Sequence, residues 1–187
     1  MLLSKSRLVL IGVAVVVAAG AAWWLRDSLK PETMEPRSVP VDKATPPGPR
    51  PVTLRDGTSR DLGKAPGKLL IVHFWATWCP PCVEELPGLL EYAQSVKGDP
   101  AVEILAVSVD TDWKTVDAFL ERMKATGLSV ALDPQRATAK AFGTEKFPET
   151  WFLDPKGKVV EAFIGPVQWG HPDTRKRLTE LRAALPR

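Results

Sequence analysis

Cys79 and Cys82 are the only two cysteines of this 187-residue chain, and they stand three apart in the stretch FWATWCPPCVEELP, residues 74–87. Two thiols at that spacing can form a redox pair, half of a metal site, a haem anchor or a structural staple, and each use makes its own demand on the neighbours. Covalent haem attachment needs a histidine directly after the second cysteine, where Val83 stands instead. A structural zinc site needs four ligands, commonly as two paired knuckles, and only His73 and His171 are available to complete one. A disulfide closing so short a loop stabilises a fold little. Thiol–disulfide exchange therefore fits best, with no metal and no cofactor beyond the Cys79–Cys82 dithiol itself.

The flanking elements support that chemistry. KLLIVHFWA, residues 68–76, is a nearly unbroken apolar run with β-branched and aromatic residues, the pattern of a strand buried on both faces. The motif follows at once, and a helix is expected from it to about Val96. Cys79 then falls at the helix start, where unpaired amides and the helix dipole favour thiolate. Cys82 lies one turn later, within reach to resolve a mixed disulfide. Pro81 suits the first turn, where its missing N–H has no partner to lose.

Beyond the motif, AVEILAVSVD (101–110) reads as a second buried strand. Val116, Phe119, Leu120 and Met123 recur at helical spacing, predicting an amphipathic helix opened by Asp112 and closed by Gly127. SVALD (129–133) reads as a short strand, PQRATAKAFG (134–143) as a short helix, and TWFLD-PKG-KVVEAFIG (150–165) as strand, turn and strand. DTRKRLTELRAAL (173–185) reads as a closing helix. Two short segments around Asp56-Gly57 signal an N-terminal β-hairpin. The alternation predicts an α/β fold with a mixed central sheet flanked by helices.

The first fifty residues follow a different logic. Residues 1–51 carry seven Lys/Arg against four Asp/Glu, whereas residues 52–187 carry eighteen of each. The globular part is thus neutral, no basic stripe with interleaved aromatics appears, and no nucleic-acid partner is expected. Lys5 and Arg7 precede an uncharged run from Leu8 to Leu25 that ends in Trp23, Trp24 and Arg26. Eighteen residues of helix span roughly 27 Å, enough for a slightly thin bilayer core. Residues 1–26 are accordingly expected to be an uncleaved signal anchor, one transmembrane helix with its N-terminus in the cytoplasm. A cleaved signal peptide ending near Ala19-Gly20-Ala21 is the competing reading. Residues 27–51, with seven prolines, read as a semi-extended linker, and residues 52–187 as the folded domain.

FWATWCPPC after a buried strand resembles the thioredoxin superfamily. ATWCPPCVEELP is most similar to its membrane-tethered extracytoplasmic branch, the TlpA/ResA/DsbE (CcmG)-type disulfide reductases. Pro87 matches that family's kink proline, the helix of residues 114–126 falls where this branch carries an insertion, and Phe147-Pro148-Glu149-Thr150 matches its cis-proline loop. The resemblance implies a thioredoxin-like fold in which Pro148 packs against the cysteines and helps hold an extended client. Trp78, Pro80, Pro81 and Phe147 would share that client surface, Phe147 being bulkier than the usual residue before the cis-proline. Glu85 matches an acid this branch places beside its cysteines, where it would handle protons; otherwise it is a first-turn acid favoured by the helix dipole. His73 departs from the pattern, standing where thioredoxin has aspartate and this branch often asparagine. It is either a proton shuttle for Cys82 or a hydrogen-bonded core histidine.

These observations yield the expectation of a monomeric, single-pass inner-membrane protein whose domain reduces disulfides of exported proteins outside the cytoplasm. By resemblance the electrons arrive from a DsbD/CcdA-like membrane donor, and the clients belong to cytochrome c maturation or copper-centre assembly. A disulfide oxidant and a Cu(I)-handling dithiol module are the alternatives.

Overall fold

In the computed structural model of the chain, the apolar run before the motif forms a strand whose seven residues are all buried. The structure describes residues 20, 21, 23, 24, 37, 38, 48–64 and 67–184. Along the chain the elements are β1 (Arg37–Ser38), β2 (Pro51–Thr53), β3 (Ser59–Asp61), β4 (Leu69–Trp75), α1 (Pro80–Ser95), β5 (Val102–Ser108), α2 (Trp113–Arg122), β6 (Val130–Leu132), α3 (Ala137–Phe142), β7 (Glu149–Leu153), β8 (Val159–Ile164) and α4 (Pro172–Ala183).

The strands form one mixed sheet in the order β1-β8-β7-β4-β5-β6-β2-β3. β4, β5 and β6 run parallel, while β7 and β8 add antiparallel on the other side of β4. β4 is therefore central, which explains why it carries no polar alternation. Its side chains divide between two cores. Leu70, Val72 and Phe74 pack with Val116 and Phe119 of α2 and Ala139 and Phe142 of α3. Leu69 and Ile71 pack with Leu89 and Tyr92 of α1 and Leu178 and Leu181 of α4. The sheet is thus sandwiched between two helical layers, and His73, alternating with Leu69 and Ile71, points to the side of α1.

The hairpin forms where Asp56-Gly57 placed it. Gly57 adopts φ +81°, its N–H donates to Leu54 O, and the Asp56 carboxylate accepts the Thr58 N–H at 2.9 Å. Asp112 caps α2 as expected, accepting the Thr115 N–H at 2.8 Å, but the helix closes at Arg122 rather than at Gly127. Lys124 takes the left-handed conformation (φ +53°), the Ala125 N–H returns to Leu120 O, and the Lys124 N–H returns to Glu121 O. That pair of reversed bonds satisfies the last carbonyls early, and Ala125 is buried in the core against which Leu120 also packs.

Two residues of the expected linker, Arg37 and Ser38, pair with Ile164 and Phe163 and lengthen the sheet by one edge strand. Met1–Thr33 forms a unit of its own. The expected membrane span over residues 1–26 lies outside the described residues except for Gly20, Ala21, Trp23 and Trp24, which are helical and exposed. Among the described residues no helix is long and apolar enough to cross a membrane.

Candidate active site

The motif sits where β4 ends and α1 begins. Cys79 is the N-cap of α1 in extended conformation (φ −96°, ψ 104°), with Pro80 and Pro81 in the first two helical positions. Neither proline loses a bond there, because the first-turn N–H groups have no intrahelical acceptor. The Cys79 sulfur takes the role usually filled by a capping oxygen and accepts the Cys82 N–H at 3.3 Å. Cys79 and Cys82 are joined as a disulfide, and both are buried. Trp78 beside them is 54% exposed, and Pro80 is also exposed.

The approach to Cys79 is held by a carboxylate that no local signal in the sequence marked. Asp110, buried just past β5, accepts the Thr77 N–H at 3.0 Å and the Thr77 hydroxyl at 2.8 Å. The Ser108 hydroxyl donates to the same carboxylate at 2.6 Å. Three donors on one buried carboxylate fix the turn before the motif, and Thr77 lies 33 residues from Asp110 in sequence.

The loop before β7 closes over the motif. The Phe147–Pro148 peptide bond is cis, and Pro148 is buried. Phe147 meets Trp78 edge-on, ring centroids 6.1 Å apart, so the loop and the residue before the disulfide share one surface. The expected client-facing residues Trp78 and Phe147 are thereby brought together.

Behind the disulfide, His73 and Glu85 do meet. Glu85 lies one turn after Cys82 on α1 and is buried, and its Oε1 stands 3.1 Å from His73 Nε2. The other His73 nitrogen, Nδ1, is 3.0 Å from the Thr150 hydroxyl, and Glu85 Oε2 accepts the Val167 N–H at 2.5 Å. Glu85 Oε1 has no hydrogen-bond partner among the described residues, so the two groups stand in contact at ion-pair distance without a hydrogen bond between them. Trp169 packs edge-on against the imidazole at 6.1 Å and stacks on Tyr92.

Glu149, next after the cis-proline, is a further buried acid. Burial pushes its carboxyl above the ordinary range, against hydrogen bonding to Thr144 and Trp151 that pulls it down. Its Oε2 has no hydrogen-bond partner among the described residues.

Among the described residues no group of three or more His, Cys, Asp or Glu side chains is placed to hold a metal ion. The family model for Redoxin matches residues 40–179. The chain is 34% identical over 112 residues to the thiol-disulfide oxidoreductase ResA of Bacillus subtilis, a match covering 59% of this chain and 60% of that one. It thus spans about three fifths of the length of that curated relative. The crystal structure of StoA from Bacillus subtilis superimposes with a TM-score of 0.58 at 26% identity, covering 74% of this chain and 98% of StoA. A Chlorobium tepidum protein provisionally assigned as the thiol:disulfide interchange protein DsbE gives a TM-score of 0.62 at 22% identity, over 72% of this chain and 94% of its own. Together these neighbours establish the thioredoxin-like α/β fold with its mixed sheet.

Proposed function

The chain belongs to the Redoxin family, and from that premise we propose that it is a thiol–disulfide oxidoreductase that reduces disulfides in client proteins. The observation that carries the reading is the buried Cys79–Cys82 disulfide at the start of α1, beside an exposed Trp78 and a cis-proline loop. The relatives' printed name, thiol-disulfide oxidoreductase, supports it.

In the reduced protein the Cys79 thiolate attacks one sulfur of the client disulfide, forming a mixed disulfide and releasing the first client thiolate. The free amides of the first turn, among them the Cys82 N–H at 3.3 Å, stabilise negative charge on the Cys79 sulfur. Cys82 loses its proton and attacks the Cys79 sulfur, which breaks the mixed disulfide and expels the second client thiolate. Two electrons pass to the client, its two sulfurs take up two protons, and the domain is left as the Cys79–Cys82 disulfide. We assign the handling of the Cys82 proton to Glu85 and His73, a reading supported by Glu85 following Cys82 by one turn and lying buried against the imidazole.

Continued turnover requires a dithiol donor. We assign that role to a DsbD/CcdA-like membrane protein, with this chain tethered by residues 1–26 and its domain outside the cytoplasm. The clients are exported thiol proteins of the cytochrome c or copper-centre assembly type. The apolar run Leu8–Leu25 behind Lys5 and Arg7 supports the tether and its orientation.

A redox titration of the purified protein in thiol/disulfide buffers, read by thiol trapping, tests the direction of transfer. A potential near that of thioredoxin, about −270 mV, fits a reductase, and one near the strong oxidant's, about −120 mV, would make the protein a disulfide donor.

A further inference from the structure

Arg136 lies on the rim of the disulfide. Its guanidinium carbon sits over the Trp78 ring at 5.3 Å from the centroid and over the Phe147 ring at 5.9 Å. Those two rings belong to the residues directly before Cys79 and directly before the cis-proline, and they meet each other at 6.1 Å. One cation and two aromatic side chains, drawn from three separate segments, therefore form a single surface beside the reactive sulfurs.

The backbone of Arg136 belongs to the turn into α3, its N–H donating to Asp133 O and its carbonyl accepting the Lys140 N–H. Arg136 occupies the N-cap position of α3, but its side chain makes no capping bond. Its backbone is left-handed (φ +56°, ψ 22°), a conformation that costs an L-residue with a Cβ roughly 1–2 kcal/mol. Strain of this kind gathers at functional sites. Arg55, Arg60, Arg175, Arg177 and Arg182 each pair with a carboxylate. Arg136 pairs with none among the described residues, and it is exposed. Stacking on an aromatic face uses the flat side of a guanidinium and leaves the N–H donors along its edge, the side that grips a carboxylate.

We propose that Arg136 is a specificity-determining residue, selecting client segments that carry an acidic side chain beside the disulfide to be reduced. The proposal rests on the oxidoreductase reading above. Trp78 and Phe147 pack along the client backbone, while the edge of Arg136 takes the carboxylate of a flanking Asp or Glu. The rings pre-orient the guanidinium, so little side-chain freedom is lost when the client docks.

The test uses the pre-reduced protein with two synthetic peptides, each holding one disulfide and differing only in whether Glu or Lys flanks the cysteines. Neutral hydroxyethyl disulfide is the third substrate. Each peptide rate is divided by that of the same peptide with dithiothreitol, which removes intrinsic differences in disulfide reactivity. The wild type is expected to reduce the Glu peptide about fivefold faster than the Lys peptide, a preference that collapses in 0.5 M NaCl. Arg136→Glu should invert the preference. Arg136→Gly, which suits the left-handed backbone and so keeps the fold, should bring the ratio close to one. A Glu/Lys ratio that is the same in the wild type and both variants overturns the inference while leaving the oxidoreductase reading intact. Failure of the wild type to reduce even hydroxyethyl disulfide overturns that reading and this inference with it.

Discussion

The buried contact between His73 and Glu85 makes a demand that a double-mutant cycle can measure. Glu85→Ala removes the acceptor of the Val167 N–H, leaving that buried donor without a partner, and removes the carboxylate that faces His73 Nε2. An orphaned buried donor costs about 1–3 kcal/mol, so the variant should lose about 2 kcal/mol of folding stability. Glu85→Gln keeps a carbonyl for Val167 and leaves an uncharged amide facing Nε2. Its cost should be nearer 1 kcal/mol. His73→Phe removes the imidazole but leaves Glu85 buried, and because breaking one side of such a pair is expensive, combining it with Glu85→Gln should recover part of the loss. The expected interaction energy between His73→Phe and Glu85→Gln is about 1.5 kcal/mol, read from urea unfolding of the oxidised protein at one pH. The same variants assayed for disulfide exchange separate stability from chemistry. Glu85→Gln, nearly native in stability, should slow resolution of the mixed disulfide by about a hundredfold if the pair manages the Cys82 proton. An interaction energy below about 0.5 kcal/mol would refute the contact as an energetic pair. Unchanged resolution in Glu85→Gln would refute its role in proton transfer.

Three further outcomes follow from the geometry. Asp110→Ala should cost about 3 kcal/mol by urea unfolding, since three donors lose a buried carboxylate, whereas Asp110→Asn, which keeps one acceptor and adds a donor that Thr77 can turn to meet, should cost about 1 kcal/mol. Equal effects of the two would show that the carboxylate does not anchor the turn before Cys79. Lys124→Gly should raise stability by up to about 1 kcal/mol, because φ +53° costs glycine nothing; a loss would mean the lysine side chain contributes more than its backbone costs. Glu149 bears on pH. With its carboxyl raised by burial, the folded state holds this proton to higher pH than the unfolded chain does. Its contribution is full below the ordinary carboxylate range and is lost as pH rises through the raised value. Glu149→Gln should therefore flatten the fall in Tm between about pH 4 and neutrality, and an unchanged slope would mean the group titrates normally.

What could be read from the sequence was what neighbours in the chain decide. The cysteine spacing, the prolines of the first turn, the Asp112 cap and the Asp56-Gly57 turn all act within four residues, and each lies where local chemistry placed it. The apolar run of β4 likewise announced burial on both faces, because a strand with sheet on either side and helices above and below has no exposed alternation. Periodicity names the face a residue occupies but not the partner it meets there. His73 was legible as a polar group in an apolar strand, yet its partners Glu85 and Thr150 depend on how α1 crosses the sheet and on the register of β7 against β4, which pairs His73 with Thr150 itself. Asp110 was illegible for the same reason, its partner Thr77 being reached only through the parallel β4–β5 pairing. The misplaced end of α2 has a different cause. Gly127 is the better residue for a left-handed helix end, but the reversed bonds from Lys124 and Ala125 close the helix at Arg122, and Lys124 takes the left-handed conformation. Arg136 repeats the pattern at α3, a left-handed non-glycine residue that propensity alone would not choose. At both positions local backbone bonds hold the left-handed residue, Lys124 N–H to Glu121 O and Arg136 N–H to Asp133 O, and at Arg136 the side chain so placed lies over Trp78, beside the reactive disulfide.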